Sequence, residues 1–271
     1  MSAVLVLILK LNWGEKKPRL IQILLIILNP SPKLEKNMAN LKEELRSEAS
    51  RFGIDLFGVA SAYDLSDAPP GHRPTDILPG AESIIVLGLK MLDAQTDLLP
   101  LEGESSSNSP KQAMFSGHNT FLSQQLDAAG YGLSRFLEKR GFHAYHQLAS
   151  TGGIDGRFLT GLLSLKHIAA KAGVGVIGRS SLLITPQYGP RVRLTAVMTD
   201  AKLEPDKPLK LDYCSECSGL CISNCPASSL QKPNPGSFYQ INRFACQQYL
   251  TTRPSCSICL KVCPVGDKRI R

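Results

Sequence analysis

The first 213 residues of this 271-residue chain contain no cysteine, and all eight cysteines lie between Cys214 and Cys263. This distribution excludes a disulfide framework that spans the whole chain. It indicates a specialised segment attached to a cysteine-free body. Hydrophobic residues make up 43% of the chain and charged residues 20%, which is ordinary for a protein with a buried core.

The chain also lacks an apolar run of the ~20 residues that a membrane-spanning helix needs. Its most apolar runs, residues 3–9 and 20–28, are much shorter, and no small-residue cleavage site follows the second. We therefore expect a cytoplasmic protein without a membrane span. Met38 is the predicted natural start, and residues 1–37 are predicted to be an extension outside the fold. An interfacial or partner-binding tail is the alternative.

Positive charge is only in modest excess. The net charge is +8 at pH 7, of which residues 1–37 carry +4 and residues 38–271 the other +4. Nucleic-acid-binding proteins usually concentrate a stronger basic excess on the folded part. Composition therefore gives little support to general polyanion binding.

Hydrophobic periodicity before residue 206 predicts alternating helices and strands. Helices are predicted over residues 40–52, 121–141 and 161–173, and strands over residues 54–60, 83–91, 142–148 and 192–200. Residues 101–117 have few apolar side chains and are predicted to form a surface loop. The alternation favours an α/β or α+β sandwich over residues 38–205. Residues 206–271 are predicted to form a separate small domain.

The segment GVGVIG, residues 173–178, matches the glycine pattern of dinucleotide-binding folds. That pattern binds phosphate where the glycines join a strand to the start of a helix. In this chain a predicted helix precedes the glycines, so Gly173 is expected to end that helix. The glycines predict a close approach of the backbone to another element or to a bound cofactor.

The cysteines form two runs of four that end alike, since a proline follows the last cysteine of each. The first run is Cys214, Cys217, Cys221 and Cys225, and the second is Cys246, Cys256, Cys259 and Cys263. Bacterial ferredoxins hold two clusters with similar runs, and the fourth cysteine of each run binds the other cluster. The repeat favours two [4Fe–4S] clusters, with zinc and disulfides as alternatives.

The ferredoxin pattern predicts a crossed set of ligands. The first cluster is predicted to take Cys214, Cys217, Cys221 and Cys263, and the second to take Cys225, Cys246, Cys256 and Cys259. Three residues separate Cys217 from Cys221, where the ferredoxin run has two, and Gly219 is expected to absorb the extra residue as a bulge. Each bound cluster carries about −2 with its thiolates, so the loaded fold is expected to be nearly neutral.

Residues 165–209, which run directly into the first cysteines, resemble the epoxyqueuosine reductase family and related iron–sulfur corrinoid proteins. The shared segments read AG-x-G-x-IG, YGP-x-VRL and TD-x-x-LEPD, and residues 242–266 continue the likeness. The resemblance covers the chain from about Met38 onward. It implies a nitroreductase-like, cobalamin-handling α/β domain, followed by a small ferredoxin-like domain whose two clusters pass electrons to cobalt.

The resemblance also implies where cobalamin lies, beside the glycine turn and the segment that follows it. The residues expected to bind the cofactor are His167, Gly173, Gly175, Gly178, Tyr188 and Arg191. Family members carry an Asp-Ser-x-Pro segment, whose aspartate is the proton donor, just ahead of this turn. This chain lacks the segment, and Asp155 is the only acid nearby that is a candidate for the role.

Together these features predict an oxidoreductase that passes electrons through two [4Fe–4S] clusters to a cofactor, expected to be cobalamin, for a reductive reaction on an unidentified substrate. An epoxyqueuosine reductase acting on tRNA is one alternative. A non-catalytic electron carrier that serves a partner redox protein is another. The expected electron donor is a ferredoxin or flavodoxin, and the substrate is either a small molecule or tRNA.

Overall fold

A computed structural model describes residues 32–99, 110–149, 159, 161–234, 236–237, 239–253 and 256–266. Its helices are α1 (Pro32–Arg51), α2 (Pro74–Ile77), α3 (Asp93–Asp97), α4 (Pro110–Glu138), α5 (Leu165–Lys171), α6 (Leu220–Ser223), α7 (Arg243–Thr252) and α8 (Ile258–Lys261). Its strands are β1 (Leu56–Ser61), β2 (Ser83–Lys90), β3 (Ala144–Gln147), β4 (Val176–Ile177), β5 (Leu183–Ile184), β6 (Val192–Thr199), β7 (Leu230–Gln231) and β8 (Gln240–Ile241).

The chain divides into two compact units, Met1–Leu41 and Lys42–Arg271. The cysteine segment and the α/β body therefore belong to the same unit. A domain boundary between residues 205 and 206 stays a prediction.

A four-stranded antiparallel sheet in the order β1-β2-β6-β3 lies at the centre of the second unit. Strand β2 pairs with β6 from Ser83 opposite Thr199 to Lys90 opposite Val192. Every β2 residue before Lys90 is buried. Continuous burial of this kind is typical of a central strand that is covered on both faces.

Helices cover the two faces of this sheet. Because successive strand side chains point to opposite faces, Ile84 and Val86 lie on one face of β2. They share a hydrophobic core with Ile168 of α5. The register places His146 of β3 on the other face, where a Cβ on Gly130 of α4 would lie 2.3 Å from the His146 ring. The fold is a mixed α/β sandwich, as the sequence predicts.

The predicted strands are confirmed to within two residues at each end. The predicted surface loop is wrong for residues 110–117, because α4 begins at Pro110. The first turns of α4 are mostly polar, but Phe115 is fully buried and anchors them on the same helical face as Leu122. Residues 101–109 lie outside the described part of the chain.

Helix α1 begins at Pro32, eight residues before the predicted N-cap Asn40. Proline suits the first turn of a helix because the missing N–H has no helical partner there. Gly53 follows the helix with a φ of +71°, as expected of a helix stop. The apolar runs at residues 3–9 and 20–28 fall outside the described residues. Among the helices that are described, none has the length and apolar character to cross a membrane.

Candidate metal centre

One cavity is lined by four cysteines that come from both runs. Cys214, Cys217 and Cys221 come from the first run, and Cys263 comes from the second. The structure thus brings together the four residues that the crossed pattern assigns to one cluster. Their role as ligands stays a prediction.

Local backbone geometry shapes the loop that carries the first three cysteines. The Asp212 carboxylate accepts hydrogen bonds from the backbone N–H groups of Cys214, at 2.8 Å, and Ser215, at 3.0 Å. Gly219 has a φ of +83° and precedes α6. Glycine adopts this left-handed conformation without a steric penalty, and it occupies the three-residue gap between Cys217 and Cys221. The Gly219 N–H lies 3.5 Å from Cys217 Sγ.

The other four cysteines also converge, and Ser229 connects two of them. The Ser229 hydroxyl lies 3.2 Å from Cys225 Sγ. Burial raises the pKa of the Cys246 thiol, and Ser229 partly offsets this rise. Burial raises the pKa of Cys259 to about 12, with further contributions from the thiols of Cys256, Cys246 and Cys225. Cys225, although it belongs to the first run, therefore lies among the cysteines of the second.

The thiols have pKa values that make metal binding and deprotonation interdependent. Burial, together with the thiols of Cys214, Cys263 and Cys217, raises the pKa of Cys221 to about 11. At Cys225, burial raises the pKa, but hydrogen bonds from Ser229 and from backbone N–H groups outweigh it and lower the pKa overall. A metal must displace the protons of high-pKa thiols before they can bind it.

The donor set fits a polynuclear cluster. Within the described residues, no three His, Cys, Asp or Glu side chains lie close enough to hold a single metal ion. A zinc site brings all its thiolates to about 2.3 Å from one ion. An iron–sulfur cluster instead takes four cysteines around a core of several atoms, and four cysteines line the shared cavity. All eight cysteines are described, and none of them forms a disulfide.

Arg179 was not identified from the sequence as a residue of this site. Its backbone N–H lies 3.4 Å from Cys214 Sγ, and its guanidinium donates to the Cys217 carbonyl at 3.1 Å. N–H groups that point at sulfur stabilise the thiolate form. Arg179 directly follows the glycine turn, so its position beside the cysteines depends on tertiary folding. Ser229 was also missed.

The glycine turn packs closely against the chain itself. A Cβ on Gly173 would lie 2.5 Å from the Lys207 carbonyl oxygen, and one on Gly175 would lie 2.5 Å from that of Ile184. A Cβ on Gly178 would meet the Ile184 side chain at 2.3 Å and Cys214 Sγ at 3.4 Å. The turn follows α5 and leads into β4, so Gly173 ends a helix as predicted.

The other predicted cofactor residues also have partners within the chain. His167 Nδ1 lies 2.6 Å from Ser164 Oγ, and its Nε2 lies 3.4 Å from the Tyr239 hydroxyl. The Tyr188 ring lies 5.9 Å from the Lys90 ammonium. Contact of these residues with a corrinoid stays a prediction. Asp155 lies outside the described residues.

The turn at residues 188–191 packs against the loop at residues 263–266. Gly189 and Gly266 both have positive φ, and their backbones meet. A Cβ on Gly189 would lie 1.8 Å from the Val265 carbonyl oxygen. Arg191 is 2% exposed and donates hydrogen bonds to the same loop. The predicted cofactor residue Arg191 therefore contacts the loop that holds Cys263.

Lys166 joins the body to the cysteine segment and yields a pH prediction. Its ammonium lies 4.3 Å from the centre of the Tyr239 ring and 3.0 Å from the Ser181 carbonyl oxygen. Burial, together with the Arg243 guanidinium, lowers the pKa of Lys166 to about 8. In the unfolded chain a lysine titrates at about 10.4, so between these values the unfolded state holds more protons and the free energy of unfolding rises with pH.

We therefore expect the stability of the native protein relative to Lys166→Met to rise between pH 8 and about pH 10. Urea unfolding of the metal-free proteins across this range measures the difference. Lys111→Met removes the same charge from an exposed position and serves as the matched control. A difference that stays level across the range, or falls, would contradict the prediction.

Comparison with known proteins agrees with this architecture. No family model matches the chain. It is 25% identical over 273 residues to an epoxyqueuosine reductase of Bacillus subtilis, a match that covers 85% of this chain and 64% of that protein. It is 38% identical over 222 residues to a tetrachloroethene reductive dehalogenase of Desulfitobacterium hafniense, covering 81% of this chain and 33% of the dehalogenase.

These likenesses support a divergent epoxyqueuosine reductase-like family. Solved structures show the same fold. One is an epoxyqueuosine reductase with an epoxyqueuosine-modified tRNA-Tyr stem loop, with a TM-score of 0.56, 24% identity, and coverage of 84% of this chain and 66% of that one. Another is a reductive dehalogenase whose structure suggests a mechanism for B12-dependent dehalogenation, with a TM-score of 0.60, 17% identity, and coverage of 86% and 36%. The chain spans less than two thirds of the length of the two curated relatives.

Proposed function

We propose that this protein is an oxidoreductase that passes electrons through two [4Fe–4S] clusters to a cobalamin, which then drives a reductive reaction. The observation that carries the proposal is the cavity lined by Cys214, Cys217, Cys221 and Cys263. Thiolates are the ligands that iron–sulfur clusters require, and four of them meet there from two separate runs. Ferredoxin or flavodoxin is the proposed donor of the electrons.

The chain's own residues would hold the first cluster in three ways. Its four cysteines supply the thiolates, the N–H groups of Arg179 and Gly219 point at two of the sulfur atoms, and the 188–191 turn holds the Cys263 loop. When bound, such a cluster accepts and donates single electrons. The second cluster would be held by Cys225, Cys246, Cys256 and Cys259.

Cobalamin enters the proposal through the relatives. The chain aligns over 81% of its length with a reductive dehalogenase, and a solved reductive dehalogenase with the same fold is described as B12-dependent. The Cβ directions of Gly173 and Gly175 in the glycine turn point at the backbones of Lys207 and Ile184, so packing within the chain already requires these glycines. Binding of a corrinoid at the turn stays a prediction.

Anaerobic purification with iron, sulfide and zinc analysis and EPR tests the cluster part of the proposal. We expect about eight iron and eight sulfide per chain, with EPR signals from both clusters after reduction. About two zinc per chain and no sulfide would overturn it.

Titration with cobalamin tests the corrinoid part on the same preparation. We expect the visible spectrum of cobalamin to change on binding, and the bound corrinoid to be reduced when a reduced flavodoxin is added. A loaded protein that leaves the cobalamin spectrum unchanged would support the non-catalytic electron carrier instead.

An epoxyqueuosine reductase acting on tRNA is the second candidate. It is favoured by the alignment with the Bacillus subtilis enzyme over 85% of this chain and by the fold shared with the enzyme solved with a tRNA stem loop. Incubation of the reduced protein with epoxyqueuosine-containing tRNA, followed by nucleoside analysis, tests this activity. A parallel incubation with tetrachloroethene measures chloride release. Queuosine without chloride would identify the tRNA reaction, and the reverse result would exclude it.

A further inference from the structure

Arg191 is a buried charge at the junction between the sheet and the cysteine segment. Its side chain lies immediately before β6 and is among the largest fully buried side chains of the described residues. An arginine keeps its charge at any physiological pH. A buried guanidinium is stable only where its N–H groups find acceptors.

The acceptors of Arg191 lie on the loop that carries Cys263. Its guanidinium donates to the carbonyls of Cys263 at 3.0 Å, Val265 at 3.0 Å and Lys261 at 3.2 Å. Lys261 ends α8, whose last carbonyls have no helical N–H partner. Pro264 has no N–H to offer them. Arg191 thus satisfies backbone carbonyls that the proline and the helix end leave available.

The positive charge of Arg191 acts on one cysteine group. Its guanidinium donates to the Cys263 carbonyl, and the Arg179 guanidinium donates to the Cys217 carbonyl at 3.1 Å, so two fixed positive charges lie beside this group. Among the hydrogen bonds of the described residues, no lysine or arginine side chain donates to Cys225, Cys246, Cys256 or Cys259. The two groups therefore have different electrostatic surroundings.

We propose that Arg191 is a positioning residue that fixes the Cys263 loop and raises the reduction potential of the first cluster above that of the second. The inference rests on the proposed function, because it requires both clusters. Reduction adds one electron to a cluster that already carries about −2, with no bond formed or broken. A nearby fixed positive charge stabilises the added electron.

This difference gives electron flow a direction. Electrons move from a centre of lower potential to one of higher potential. The second cluster would therefore accept electrons from the external donor, and the first cluster, whose cysteines contact the body at Arg179 and Arg191, would deliver them. The junction of body and cysteine segment is thus the exit of the electron path.

Redox titration of the loaded protein by EPR tests the inference with three variants. Arg191→Met removes the charge and the hydrogen bonds, and Arg191→Lys keeps the charge without the planar fork. Arg193→Met is the matched control, since Arg193 lies two residues away and donates to Ser123 Oγ at 2.7 Å and the Ala149 carbonyl at 3.2 Å.

In Arg191→Met we expect the equilibrium constant for reducing the higher-potential cluster to fall by about tenfold, equivalent to about 59 mV for one electron. The other cluster is expected to keep its potential, as are both clusters in Arg193→Met. In Arg191→Lys we expect the reduction potential of this cluster to stay closer to the native value than in Arg191→Met. The loss of thermal stability is expected to be similar in the two variants. A potential that differs between the two variants while their stability does not would show that the charge of Arg191, and not only its structural role, sets the potential.

Each other outcome is decisive. Unchanged potentials in Arg191→Met with about eight iron bound would overturn the inference, as would equal shifts in Arg191→Met and Arg191→Lys. If Arg191→Met binds only about four iron, the remaining cluster must be the one of lower potential, and survival of the higher-potential cluster would overturn the inference. Absence of clusters from the native protein would instead refute the proposed function.

Discussion

Replacement of Cys214 and Cys263 together by alanine is expected to leave one intact cluster, with about four iron per chain. Replacement of Cys214 and Cys225 together is expected to leave none. In the first pair both residues line one cavity, so the other four cysteines remain complete. In the second pair each cluster loses one ligand, because Cys225 lies with Ser229 and Cys246. Iron, sulfide and EPR analysis of the anaerobically purified variants measures the result.

The two double variants are matched controls for each other, because each removes two thiols and both include Cys214. Sequential binding, with each run of four holding its own cluster, predicts the opposite order of iron content. The order therefore decides between the crossed and the sequential pattern. Equal iron content in both variants would contradict both patterns of ligation.

Gly189→Ala is expected to lower the free energy of unfolding by about 3 kcal/mol and to impair loading of the first cluster. The new Cβ would lie 1.8 Å from the Val265 carbonyl oxygen, so the 263–266 loop must move. Movement of that loop displaces Cys263 from the cavity that it shares with the first-run cysteines. Urea unfolding measures the first effect, and iron analysis after anaerobic reconstitution measures the second.

Gly80→Ala is the control, since Gly80 has a φ of +84° and a Cβ there would meet no atom within 4 Å. It shares the cost of a side chain at positive φ, about 1 to 2 kcal/mol, without the clash. We expect it to bind the same amount of iron as the native protein. If Gly189→Ala matched Gly80→Ala in both stability and iron content, the close packing of the two loops would not be required for the site.

Strand β2 could be predicted from the sequence because it is buried on both faces and reads as a nearly continuous apolar segment. The first turns of α4 could not. Residues 110–117 are mostly polar, and the burial of Phe115 that holds them depends on what the helix packs against. The start of α1 at Pro32 was also missed, because Asn40 has the side chain of an N-cap although the helix continues through it.

The sequence by itself determined that eight cysteines form two similar runs, because the spacing and the prolines are visible without a fold. The crossed grouping remained an analogy, and tertiary structure brought Cys263 to Cys214, Cys217 and Cys221. Only tertiary structure placed Arg179 and Arg191 beside the cysteines, through contacts that join segments far apart in the chain. The spacing of cysteines in the sequence shows which ligands are available. The N–H groups and charges that surround the sulfur atoms come from elements that are distant in the chain, so they depend on tertiary packing.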